Sequence, residues 1–264
     1  MKIIAFTTHN QKFKHPEEDA FKYYSDKGKI LVAVSDGITR DLVKGTYPNP
    51  SPAKIAADLF TNSFIKYIKK KKLTSNLIKE TFEDINNKIK YLNKKKNPNP
   101  DYLVNDLWAC VAVGGIIKNN YLYYGFIADC GVVIFNKNGK LKFKTRDEGP
   151  GMKGSIDNDL AKKYKTSFNE TKGRKIIRSL YRNNIKNPLA YGAITGEKSF
   201  INYLRVGKIK VSKGNYVIFY SDGLKPIIFS NNFQNKLKKQ DIGGLNKLCD
   251  YKVKSEGTLV IISL

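Results

Sequence analysis

The sequence predicts an α+β domain built on antiparallel sheets. Three observations carry this. Strand-like apolar runs open and close the chain and bracket two helix-periodic segments, so strands and helices do not alternate as βαβ units. Each helical segment has a single apolar face, as a helix lying on a sheet requires. Hydrophobic residues make up 41% of the 264, with 16 Tyr and 14 Phe, enough for a sizeable core.

Residues 2–7, 19–24 and 29–35 read as strands, with Ser25-Asp26-Lys27-Gly28 as a hairpin turn. A polar loop then ends in Pro48-Asn49-Pro50-Ser51-Pro52. Ser51 suits an N-cap and Pro52 the first helical position. Ala56, Phe60, Phe64 and Tyr67 follow at helical spacing, and a second helix begins near Ser75 with the stripe Ile78, Phe82, Ile85, Ile89 and Leu92. Residues 107–145 read as a β-meander, with turns at Asn119-Asn120 and at Asn136-Lys137-Asn138-Gly139. Residues 149–189 are polar and suggest no clear element. Within them Arg174, Arg178 and Arg182 recur every fourth residue, which reads as the solvent face of a helix. Residues 200–222 return to strand. Residues 233–250 suggest one helix interrupted by Gly243-Gly244, and Thr258–Leu264 suits a central strand.

The net charge is 48 − 23 = +25, which would attract phosphate-bearing partners. Only six of the 48 basic residues are Arg, and Asn, Ile and Tyr are abundant, so most of this charge reads as the imprint of AT-rich coding. No nucleic-acid module is recognisable, and no apolar stretch approaches the roughly 20 residues that span a bilayer. Cys110, Cys130 and Cys249 are scattered and form no CxxC pair. A cytoplasmic protein that binds neither membrane nor nucleic acid is expected.

Chemistry enters with a repeated tripeptide. Leu31-Val32-Ala33-Val34 runs into Ser35-Asp36-Gly37, and Val217-Ile218-Phe219-Tyr220 runs into Ser221-Asp222-Gly223. Asp129 follows a third apolar run. Asp-Gly is also the commonest hairpin-turn signal, so one copy alone reads as a turn. Two copies with Asp129 and an acidic pair upstream suggest carboxylates gathered at one sheet edge around a hard divalent cation.

Taken in order, Lys14-His15-Pro16-Glu17-Glu18-Asp19-Ala20, Val34-Ser35-Asp36-Gly37, Ala128-Asp129-Cys130, Tyr220-Ser221-Asp222-Gly223 and Ser255-Glu256-Gly257-Thr258 resemble the metal-dependent protein serine/threonine phosphatases of type 2C, over nearly the whole chain. The resemblance implies one domain over residues 1–264, an αββα sandwich of two antiparallel sheets flanked by helical pairs. It implies two Mn²⁺ or Mg²⁺ ions sharing a bridging water that attacks the phosphate ester, with a weaker third ion beside them. By the same resemblance Asp36 bridges both ions, the Gly37 carbonyl and Glu18 bind one of them, and Asp222 binds the other. Asp129 stands at the cluster edge or holds the third ion. Asp19 orients metal-bound water without touching an ion. Lys14 takes the place of the arginine that clamps the substrate phosphate.

The sequence departs from that pattern. Ile38-Thr39-Arg40 follows Asp36-Gly37, so no proton donor stands there, although Arg40 offers a phosphate contact. Ser255 occupies the C-terminal ligand position and Glu256 comes one residue late, leaving open which completes the metal site. The expected function is a phosphatase acting on phosphoserine, phosphothreonine or a small phosphate monoester, as a monomer. The alternatives are a catalytically weak relative that binds phosphorylated partners, and a basic nucleic-acid-binding protein.

Overall fold

Ten strands assort into two five-stranded antiparallel sheets in the computed structural model, which describes residues 2–10, 12, 15–26, 28–41, 46–150 and 156–264. In the first sheet β1 (Lys2–His9), β10 (Glu256–Ser263), β9 (Tyr216–Tyr220), β6 (Gly131–Phe135) and β7 (Leu141–Lys144) lie side by side in that order. In the second the order is β2 (Ala20–Asp26), β3 (Lys29–Gly37), β4 (Cys110–Lys118), β5 (Tyr121–Ile127) and β8 (Arg205–Lys210). The apolar C-terminal run is flanked by β1 and β9 and is buried almost throughout, as a central strand must be.

α1 (Pro52–Lys69) and α2 (Leu77–Lys96) cover the second sheet. Ser51 caps α1 by accepting the Lys54 N–H at 3.0 Å, with Pro52 in the first turn. The apolar stripes interlock through Phe60 and Phe82, whose ring centroids are 5.1 Å apart. Two short helices, α3 (Ile156–Asp159) and α4 (Thr171–Ile176), follow in the polar segment, and each continues into a wider π-type turn. A single turn, α5 (Lys225–Ile228), follows β9. α6 (Asn231–Lys238) and α7 (Ile242–Lys252) cover the first sheet, burying Phe233, Leu237, Leu245 and Cys249 against Ile218, Leu259 and Ile261. The layers are therefore helix, sheet, sheet, helix.

Two adjacent glycines in β4 explain how closely these layers approach. Neighbouring residues of a strand face opposite sides of its sheet. A Cβ on Gly114 would collide with the Phe64 ring of α1, and one on Gly115 would stand 2.8 Å from the Phe219 ring of the facing sheet.

Three expectations need correction. Residues 107–145 do not form one meander: β4 and β5 belong to the second sheet, β6 and β7 to the first. The turn signals were real, but alternation does not encode which sheet a strand joins. The chain crosses at Ala128-Asp129-Cys130, where Ala128 has φ +63°. The helix expected over 233–250 is two helices, broken at Gln240 (φ +56°) and restarted by Asp241, whose Oδ1 accepts the Gly244 N–H at 2.9 Å. The glycines sit in the first turn of α7, where capping offsets their low propensity. Residues 200–222 hold two strands separated by a turn at Gly214 (φ +81°), because β8 and β9 serve different sheets. Among the described residues no helix is long and apolar enough to cross a membrane.

Candidate active site

The first Ser-Asp-Gly is strand, not turn: Asp36 pairs with Val111 and Gly37 with Cys110. Ser35 is buried and donates from Oγ to the Val111 carbonyl at 2.9 Å, so by alternation Asp36 leaves the opposite face of β3. A Cβ on Gly37 would stand 2.5 Å from the Ala53 carbonyl oxygen, so glycine lets the first turn of α1 close on the strand end. The second copy follows β9. Ser221 is fully buried, accepts the Thr258 N–H at 2.8 Å and donates to Asp19 Oδ2 at 2.6 Å. Asp222 opens a 3₁₀ turn after β9. Asp129 lies in the crossover between the sheets, packed beside Gly149.

Glu256 does something the sequence did not suggest. Its carboxylate accepts the Glu18 N–H at 2.7 and 2.9 Å and the Asp19 N–H at 2.6 Å. The first residue of β10 thus fixes the backbone entering β2 through charge-assisted bonds. Ser255 accepts the Asn10 N–H through its carbonyl at 2.6 Å. Glu18 is 2% exposed, and its carboxylate accepts hydrogen bonds from Ser51 and Thr39. Arg40 lies near Glu18 and donates from Nη1 to the Asp106 carbonyl at 3.1 Å. Lys14 lies outside the described residues.

Asp19, Asp36, Asp129 and Asp222 come together. Burial raises the Asp36 pKa well above the usual carboxylate range, and the charges of Asp19, Asp222, Asp129 and Glu256 add to the shift. Asp19 is raised by burial and then by Glu256. Burial, helped by Asp222, pushes Asp129 up to about 7. Asp222 is raised by burial of its carboxyl, offset by a hydrogen bond with Asp36. The Cys130 thiol is pushed up by burial and then by the same carboxylates. Lys225 is the cation facing Asp129, and it pairs with Asp147. Mutual repulsion among hard oxygen donors is the condition a divalent ion relieves, so the donor set fits Mn²⁺ or Mg²⁺. Among the described residues no three of these side chains stand at coordination distance about one point, so the ligand shell is not preformed.

The arginine stripe is not a solvent face. Arg174 forks onto Asp41 through Nε (3.1 Å) and Nη2 (3.0 Å). Arg178 reaches Asp41 from Nη1 at 3.2 Å and the Thr39 carbonyl from Nη2 at 3.0 Å. Arg182 forks onto Asp106 at 2.8 and 2.7 Å, and both side chains are buried. Periodicity cannot tell solvent from a partner more than 70 residues away in the chain. The usable signal was residue choice, since a fork had been kept in a chain that otherwise uses Lys.

Asp36, Asp129, Thr39, Arg174 and Arg178 line one cavity of about 270 Å³. Thr39, Arg174 and Arg178 also line a neighbouring cavity of about 700 Å³. Beyond the carboxylates a third cavity, about 580 Å³, is lined by Asp129, Asp147, Asp222 and Lys225. The carboxylates therefore border open space on two sides, one of them rich in guanidinium.

No family model matches the sequence, and no curated protein is similar to it. Solved structures share the fold over its full extent. The Mycobacterium tuberculosis serine/threonine phosphatase PstP/Ppp superposes with a TM-score of 0.66 at 14% identity, covering 100% of this chain and 98% of that one. The S. agalactiae serine/threonine phosphatase gives 0.64 at 15% identity, covering 100% and 99%. RsbX in complex with magnesium gives 0.58 at 14% identity, covering 98% and 92%. At such identities the likeness is one of fold.

Proposed function

We propose that this chain is a metal-dependent phosphatase acting on phosphoserine or phosphothreonine in proteins, or on a small phosphate monoester. The observation that carries this reading is the gathering of Asp19, Asp36, Asp129 and Asp222 beside a cavity that Arg174 and Arg178 also line. Acid on one part of the lining and guanidinium on another match an ester phosphate presented to a cation. Asp36, Asp222 and Asp129 would hold the ions, with the Gly37 carbonyl as a further oxygen donor. Bound divalent ions would supply Lewis acidity toward a phosphoryl oxygen and a more acidic water.

This chain's own residues do the rest. Arg174 and Arg178 orient the phosphate. Asp19, its carboxyl fixed by Ser221 and Thr258, stands beside Asp36 to hold a proton. Both oxygens of Glu256 accept backbone N–H groups, which supports a positioning role for it rather than ligation. Glu18 would have to leave Ser51 and Thr39 before binding an ion. Hydrolysis of an aryl phosphate with Mn²⁺, beside an Asp36→Ala control, tests the proposal. Activity no greater than the control in every divalent metal rejects it.

The hydrogen-bonded Glu18 and the open ligand shell favour a second reading, a weakly catalytic binder of phosphorylated partners. Calorimetric titration separates the two: tight binding of two Mn²⁺ ions argues against the weaker function.

A further inference from the structure

We infer that the larger arginine-lined cavity is a second anion subsite, and that the preferred substrate is a phosphopeptide with another anionic side chain close to the scissile phosphate. This rests on the phosphatase reading of the adjacent carboxylates. The cavity of about 700 Å³ is lined by three guanidiniums, those of Arg40, Arg174 and Arg178, against one carboxylate, Asp41. Asp41 is already engaged by both Arg174 and Arg178. Asp106 is fully buried behind the wall, forked by Arg182 and 3.7 Å from Arg178 Nε, and Asp101 and Glu18 lie near Arg40 without lining the cavity. Tyr47 and Thr171 add hydroxyl groups to the lining.

Residue choice points the same way. Lys outnumbers Arg 42 to six, yet four of the six arginines stand in this wall. A guanidinium fork matches phosphate and carboxylate geometry where an ammonium offers only a point charge. Arg clusters of this kind read phosphorylated or acidic motifs.

Position supplies the substrate class. Thr39, Arg174 and Arg178 belong to both cavities, so an anion in the larger one lies a side chain away from an ester held at the carboxylates. In an extended peptide, side chains two residues apart point the same way about 7 Å from one another. One peptide can thus fill both cavities.

The test is fluorescence anisotropy at 0.15 M salt in Mn²⁺ buffer, using Asp36→Asn protein to stop turnover. Four peptides are compared: unphosphorylated, one phosphoserine, a second phosphoserine two residues away, and glutamate at that second position. The second anion is expected to tighten binding at least fivefold. Arg40→Gln and Arg174→Gln should abolish that advantage, whereas Lys71→Gln/Lys72→Gln, exposed just past the far end of α1, should keep it. Tightening by phosphoserine alone assigns the subsite to phosphate, and tightening by glutamate as well assigns it to anions generally. Equal affinity for singly and doubly charged peptides overturns the proposal. So does an advantage that survives both Arg substitutions, or one lost equally in the Lys variant. Thermal melts and Arg174→Lys, which keeps the charge and loses the fork, guard against misfolding. Wild-type kcat/KM on the same peptides separates the two readings. Preferential binding without hydrolysis sinks the phosphatase alone, and hydrolysis without preference sinks the subsite alone.

Discussion

Replacing Asp129 by Asn should stabilise the metal-free protein at neutral to alkaline pH, with most of that gain lost in acid. The Asp129 carboxyl is pushed up to about 7 by burial and by Asp222. An unfolded Asp titrates near 3.9, so the shift is about 3 units, or roughly 4 kcal/mol at 1.36 kcal/mol per unit. Asp129 borders open cavities, is coupled to Asp36 and Asp222 and faces the Lys225 cation, so solvent screening and coupled titration cut this to about 1–2 kcal/mol. The sign follows from linkage: a raised carboxyl contributes its stability below the unfolded pKa and loses it as pH rises through the folded value, here between about 4 and 7. Urea denaturation in EDTA at pH 4 and pH 8 reads the difference. Asp129→Asn should exceed wild type by about 1–2 kcal/mol at pH 8 and by less than about half of that at pH 4. Adding Mn²⁺ should then stabilise wild type more than the variant, because an ion that binds only the folded state adds RT ln(1 + [L]/Kd). A gap that does not change with pH, or a variant weaker than wild type at pH 8, would refute the reasoning.

Glu256→Gln should lower Mn²⁺ affinity by loosening Asp19, and cost about 1–3 kcal/mol of stability, since the buried Glu18 and Asp19 N–H groups lose a charged acceptor; calorimetry and a thermal melt report the two effects separately. Asp106→Ala leaves buried Arg182 unpaired and should destabilise by about 3–5 kcal/mol in urea titration. Gly114→Val should cost at least about 1–3 kcal/mol, because the side chain must displace the Phe64 ring; an unchanged melting temperature would show that α1 can shift freely.

Much of this molecule was legible because local chemistry and global position agreed. Ser51-Pro52 announced the start of α1, and the stripes of α1 and α2 announced a sheet beneath them. Asp36, Asp129 and Asp222 stood out because each follows an apolar run, and strand ends collect at sheet edges. The illegible parts depend on partners remote in the chain. Nothing near Glu256 says that it holds residues 18 and 19, and nothing near Arg174 points to Asp41. The crossover at Ala128 was hidden because a strand reads the same whichever sheet receives it.

The clamp from Glu256 to the backbone of Glu18 and Asp19 joins positions 238 and 237 residues apart. A nascent polypeptide on the ribosome carries Asp19 and Asp36 long before it carries Glu256. Its acidic pocket thus lacks this clamp until the last strand has been made, so the entry to β2 is fixed only near the end of translation.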